Sequence, residues 1–151
     1  MPSPMYDSFK TNKEAEKNGV IFDYGLFRVT LARAGGSNTQ FQKILEAKTK
    51  PYRYAIDKGL IPDEKAQQLY LEAFAEGVVR NWEVPTEFDD HGDATQWQQG
   101  IEGEDGEILE FNTVNVVKTL KNLPELFQAF SKDSSEAAAY RQQLLDEDAK
   151  N

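Results

Sequence analysis

A chain of 151 residues, 39% of them apolar, is long enough for one compact domain that buries roughly 68–70% of the surface its unfolded form exposes. It has no cysteine, which removes disulfides, thiolate chemistry and Cys–His pairs, and its lone histidine excludes paired-histidine sites within one chain. The net charge of −9 is uneven: residues 1–80 hold 12 basic against 10 acidic side chains, and residues 81–151 hold 5 against 16.

A half so rich in acid is repelled by nucleic acid and anionic membranes and drawn to basic protein surfaces, although solubility alone accounts for much surface charge. No apolar run approaches the ~18 residues that span a bilayer, and the first residues lack a signal-peptide pattern, so a cytosolic location is expected.

Residues 1–18 are polar with two early prolines and read as a loose arm. Val20, Phe22 and Tyr24 alternate with Ile21 and Asp23, and Phe27, Val29 and Leu31 alternate with Arg28 and Thr30. This period of two on either side of Gly25 predicts a hairpin with a bulged turn. Ala34-Gly-Gly-Ser-Asn38 then breaks the strand and offers Ser37 or Asn38 as a helix N-cap. Phe41, Ile44, Leu45, Tyr52, Ala55 and Ile56 recur at helical spacing, with Pro51 placed to split the helix near Lys50. Pro62-Asp-Glu64 opens another helix, whose stripe of Ala66, Leu69, Tyr70, Ala73, Phe74 and Val78 runs on to Trp82.

Residues 84–110 lose all periodicity under Pro, Gly, Asp, Glu and Gln, and read as a long acidic loop. Helices return after Asn112, after Pro124 and after Ser134 or Ser135, the last running through Tyr140 to Leu144 and Leu145. The expected organisation is a loose arm over 1–18, one globular domain over 19–145 and a charged tail over 146–151. The expected fold is α+β and mainly helical, with one N-terminal β-hairpin packed on four or five helices.

Chemistry is sparse. Asp89-Asp-His-Gly-Asp93 carries cation-binding side chains, but not at the spacing of a calcium loop, and reads as a solvated turn. Glu102, Glu104, Asp105 and Glu107 lie in a stretch without evident apolar walls, so acid–base work is not expected of them. Ala34–Asn38 lacks the lysine and the glycine spacing of a phosphate loop. No catalytic residue, metal ligand or cofactor site is assigned. Two interaction candidates remain. Lys50, Tyr52 and Arg53 form a basic, aromatic cluster at the predicted kink, where Tyr52 as a core residue is an equal alternative. Trp97, in a polar setting, is a contact residue or a lid over a helix, with Leu144, Leu145, Asp146, Glu147 and Asp148 as an acidic, apolar terminus.

The chain resembles the tail assembly chaperones of long-tailed bacteriophages. The resemblance is carried by Phe9-Lys-Thr-Asn-Lys-Glu-Ala-Glu-Lys-Asn-Gly19, the hairpin with Phe27-Arg-Val29, Ala32-Arg-Ala-Gly-Gly-Ser-Asn38 and Thr49-Lys-Pro-Tyr-Arg53. Glu72-Ala-Phe-Ala-Glu-Gly-Val-Val79, Asn81-Trp82, Phe111-Asn-Thr-Val-Asn-Val-Val117 and Leu123-Pro-Glu-Leu-Phe127 extend it over most of the chain. The 84–104 segment departs from it, being longer than the short acidic turn expected there. The resemblance implies a non-enzymatic helper in the host cytoplasm that holds the tape measure protein in solution and brings tail tube (major tail) subunits to it. It implies no cofactor, nucleic acid or membrane partner, and leaves self-association open. The rival readings are a virion component, such as a tail completion or head–tail joining protein, and an acidic mimic of DNA.

Overall fold

The computed structural model describes residues 3–141. Among them helix accounts for 53% and strand for 20%, in an α+β arrangement. The elements are α1 (Pro4–Phe9), α2 (Lys13–Asn18), β1 (Val20–Asp23), β2 (Arg28–Leu31), α3 (Thr39–Thr49), α4 (Arg53–Asp57) and α5 (Asp63–Gly77). They continue as β3 (Val79–Phe88), β4 (Ala94–Gln99), β5 (Ile101–Glu102), β6 (Ile108–Leu109), α6 (Thr113–Asn122) and α7 (Pro124–Ser135). Residues 137–141 begin a further helical stretch.

The predicted hairpin forms, pairing Val20 with Leu31 through Asp23 with Arg28. It does not stand alone against helices. β2 also pairs with β3, and β3 with β4, in a four-stranded antiparallel sheet of order β1-β2-β3-β4. Two differences from the sequence reading follow. The helix ends at Gly77 rather than running to Trp82: from Val79 the chain pairs with β2, and Gly77 lets α3 come close, since a Cβ there would lie 2.8 Å from Phe41 Cα. Trp82 sits on β3 instead, 3% exposed.

The second difference concerns residues 84–110, which are no long loop. β3 and β4 form a hairpin there, followed by the short β5–β6 ribbon. Backbone pairing to β3 explains this better than side-chain pattern does, since β4 is the polar edge strand Ala94-Thr-Gln-Trp-Gln-Gln99. Ile101 and Val84 within the segment are core residues.

Nor is the N-terminus simply an arm. Asn12 caps α2 by accepting from the backbone N–H groups of Glu14 and Ala15, and Ala15 and Glu16 are buried. α1, in contrast, buries none of its residues.

Other local expectations hold. Pro51 ends α3 and inserts a 3-10 turn over Lys50–Tyr52 before α4. Asn112 caps α6 by accepting from Asn115 N–H at 2.8 Å. Asn38 takes the N-cap position of α3, but its side chain does not cap. It is buried, and Nδ2 donates to the carbonyls of Arg33 and Gly77, tying the start of α3 to the end of α5.

The core lies between the sheet and α5, α6 and α7, and unites Val29, Leu31, Phe74, Val79, Trp82, Val116, Leu120 and Phe130. An aromatic quartet crosses it. Phe27 stacks on Tyr24 and on Trp82, each at 5.3 Å between ring centroids, and Phe130 meets Trp82 edge-on at 5.2 Å.

Candidate interaction groove

The concavity that follows from this packing begins at the β1–β2 turn. The Asp23–Arg28 pair and a bond from Tyr24 N–H to Phe27 C=O leave Gly25 and Leu26 as the connecting residues. Gly25 takes φ 88°, which a side chain would strain, and its N–H donates to Asp23 Oδ1 at 2.8 Å. On either side the turn is anchored. Tyr24 O–H donates to Asp133 Oδ2 of α7 at 2.5 Å, and Phe27 stacks on Trp82. Burial, then the hydrogen bond and charge of Asp133, push the Tyr24 phenol far above its ordinary value, so it stays a donor. Between these fixed neighbours Leu26 has nowhere to pack, and it stands 79% exposed.

Leu26 forms one edge of a groove of about 920 Å³. Half-buried Phe27, Leu109 and Leu126 and buried Trp82 form its apolar floor, and Leu123, 51% exposed, lies on the edge where α6 meets α7. The β5–β6 turn adds Glu102, Glu104 and Asp105, all exposed, against a single cation, Lys118 of α6. That turn is closed by its own bonds, Gly103 N–H to Glu107 C=O at 2.7 Å and Gly106 N–H to Gly103 C=O at 2.9 Å. Among the described residues none of the three carboxylates makes an ion pair. The expectation that these acids lack apolar walls is therefore corrected: they border this apolar groove.

The residues singled out from sequence fall elsewhere. Lys50, Tyr52 and Arg53 do come together at the α3–α4 turn, with Lys50 and Arg53 exposed. Tyr52 is half-buried under Lys65, whose Nζ lies 4.9 Å from the ring centroid, so it is neither a full core residue nor a free anchor. Near this cluster Tyr54, Ile56 and Leu60 are each exposed, among the exposed charges Arg53, Asp57 and Lys58. Trp97 is no lid over a helix. It lies on β4, with the Arg28 guanidinium 4.2 Å from its ring centroid, and Arg28 in turn pairs with Glu83 at 2.8 Å. Leu144, Leu145, Asp146, Glu147 and Asp148 lie outside the described residues.

His91 sits in the β3–β4 turn. Asp89 Oδ1 there accepts from the backbone N–H groups of His91 and Asp93, so this carboxylate closes the turn. A smaller polar hollow between α2 and α3 is filled from one side by Arg80, which bonds Asn38, Gln40 and the Lys17 carbonyl. Burial lowers the Arg80 pKa. Among the described residues no group of three acidic or histidine side chains is placed to hold a metal ion, and no helix is long and apolar enough to cross a membrane.

Sequence reasoning missed Leu26, Leu123 and the acidic rim as a unit. One signal was present: a leucine directly after the turn glycine, where a polar residue is usual. No protein-family model, curated protein or solved structure matches the chain.

Proposed function

We propose that this protein is a non-enzymatic assembly chaperone of bacteriophage tails, which keeps the tape measure protein in solution and brings tail tube subunits to it in the host cytoplasm. The observation that carries the reading is Leu26, an apolar side chain held in the open by a turn anchored on both sides, at the edge of an apolar groove. Surfaces of this kind bind without first ordering a loop, which lowers the entropic cost of capture. Tyr54, Ile56 and Leu60, each exposed and none of them lining the groove, leave room for contacts to a second partner. The family resemblance supplies the identity of the two partners.

The test is co-expression of the chain with the tape measure and tube proteins of the same genome, scoring solubility and co-purification. A tape measure protein that is soluble only when this chain is present supports the reading. A tape measure protein equally soluble without it, with this chain found in finished particles, replaces the chaperone by a virion component.

A further inference from the structure

We infer that the Leu26 groove is a docking site for one amphipathic helix of a partner protein, and that the occupant carries Lys or Arg beside its apolar stripe. The inference rests on the chaperone reading for its biological setting and adds the site and the chemistry of the client segment. Two observations carry it. The apolar floor is walled by α6 and α7, and a helix laid on helix walls buries residues at i, i+3, i+4 and i+7 as a continuous stripe. Around that floor stand three carboxylates without ion pairs among the described residues, against one lysine.

Charge complementarity selects among occupants. Cations flanking an apolar stripe satisfy Glu102, Glu104 and Asp105, whereas an acidic helix is repelled from them. The chain's own terminal segment, residues 142–151, carries Leu144 and Leu145 but is acidic, with Asp146, Glu147 and Asp148 against Lys150. Like charge therefore disfavours it as the occupant. A second copy would present a surface of net negative charge, disfavoured for the same reason. Leu26 is the anchor: its neighbours are immobilised before binding, so little order is lost on contact.

The experiment titrates the full chain into two fluorescein-labelled synthetic helices of about 20 residues. They share a leucine stripe, flanked by lysine in one and by glutamate in the other. The lysine-flanked peptide is expected to bind at least roughly tenfold tighter, and to weaken as NaCl rises from about 0.1 M to about 1 M, where the Debye length shrinks from about 10 Å to about 3 Å. Leu26→Asp is expected to lower that affinity by roughly tenfold or more without changing the circular dichroism, because the side chain is already in solvent. The combined variant Glu102→Lys, Glu104→Lys, Asp105→Lys is expected to reverse the preference towards the glutamate peptide.

Equal binding of both peptides, binding of neither, or indifference to Leu26→Asp overturns the proposal. So does a rise of more than roughly tenfold in affinity on Leu144→Ser with Leu145→Ser in the full chain, which would assign the groove to the chain's own terminus. Dimerisation of the wild-type chain that Leu26→Asp abolishes would assign it to a second copy. If the tape measure protein still co-purifies with the Leu26→Asp chain, the chaperone reading survives and the groove is not its site.

Discussion

Glu16, 1% exposed, accepts a hydrogen bond from Arg33 Nη1 at 2.5 Å, and this pair joins α2 to the end of the β1–β2 hairpin. Thr11 Oγ1 donates to the other carboxylate oxygen at 2.8 Å, and Arg33 N–H donates to the Glu16 carbonyl. Burial alone would raise the carboxyl pKa. The bonds from Arg33, Thr11 and Ser37, with the Arg33 charge, outweigh burial and hold it below 4.5.

Because the folded pKa lies below the unfolded one, the pair contributes stability above about pH 4.5, and that contribution is lost as pH falls through the folded value. Urea denaturation between pH 7 and pH 3 should show this limb, and Glu16→Gln should flatten it. Arg33→Ala at pH 7 should cost on the order of 2 kcal/mol, less than the 3–5 kcal/mol typical of a fully enclosed pair, because Arg33 keeps some solvent contact. An unchanged midpoint in Arg33→Ala would show that the pair adds nothing.

Gly77→Ala sets two effects against each other. In a helix, Ala is favoured over Gly by about 1 kcal/mol. Here the new Cβ would meet the Phe41 backbone at 2.8 Å, and overpacking of this kind costs about 1–3 kcal/mol. Thermal melting should show net destabilisation. A stabilised variant would mean that α3 shifts away without loss.

Tyr24→Phe removes the hydroxyl that anchors the turn to Asp133, at a cost of about 1 kcal/mol. Its raised phenol pKa also predicts that wild-type stability declines as pH rises past about 10, where the unfolded phenol ionises and the folded one does not. Tyr24→Phe should lessen that alkaline dependence, and the buried Tyr140 phenol, also raised by burial, should keep the remainder. It should also weaken client capture although Tyr24 does not line the groove, because Leu26 is no longer held in place.

The two tryptophans should separate spectroscopically. Trp82 is shielded in the core while Trp97 is half-buried on the edge strand, so acrylamide should quench one population and spare the other. Trp97→Phe should remove the quenchable part. Trp97→Ala should cost at most about 1 kcal/mol, the scale of a partly exposed cation–π contact with Arg28.

Elements with a strong local pattern were legible in the sequence. α3, α5, α6 and α7 carry apolar stripes at helical spacing, Pro51 removes a backbone donor wherever it falls, and Asn112 caps by its own side chain. The β1–β2 hairpin belongs with them, since period-two alternation around Gly25 is a local signal. What the tertiary structure decided depends on partners distant in the chain. β4 is mostly polar and becomes a strand because β3 offers a backbone edge, while Val78 and Trp82 match the helical period although the chain from Val79 pairs with β2 instead. The groove is decided the same way. Leu26, Glu102 and the pair Lys118 and Leu123, of α6 and its C-cap, come from three separate segments, and their approach is set by the quartet of Tyr24, Phe27, Trp82 and Phe130 and by Tyr24 on Asp133. Each of those contacts is ordinary in energy, but together they determine which leucine is left facing water.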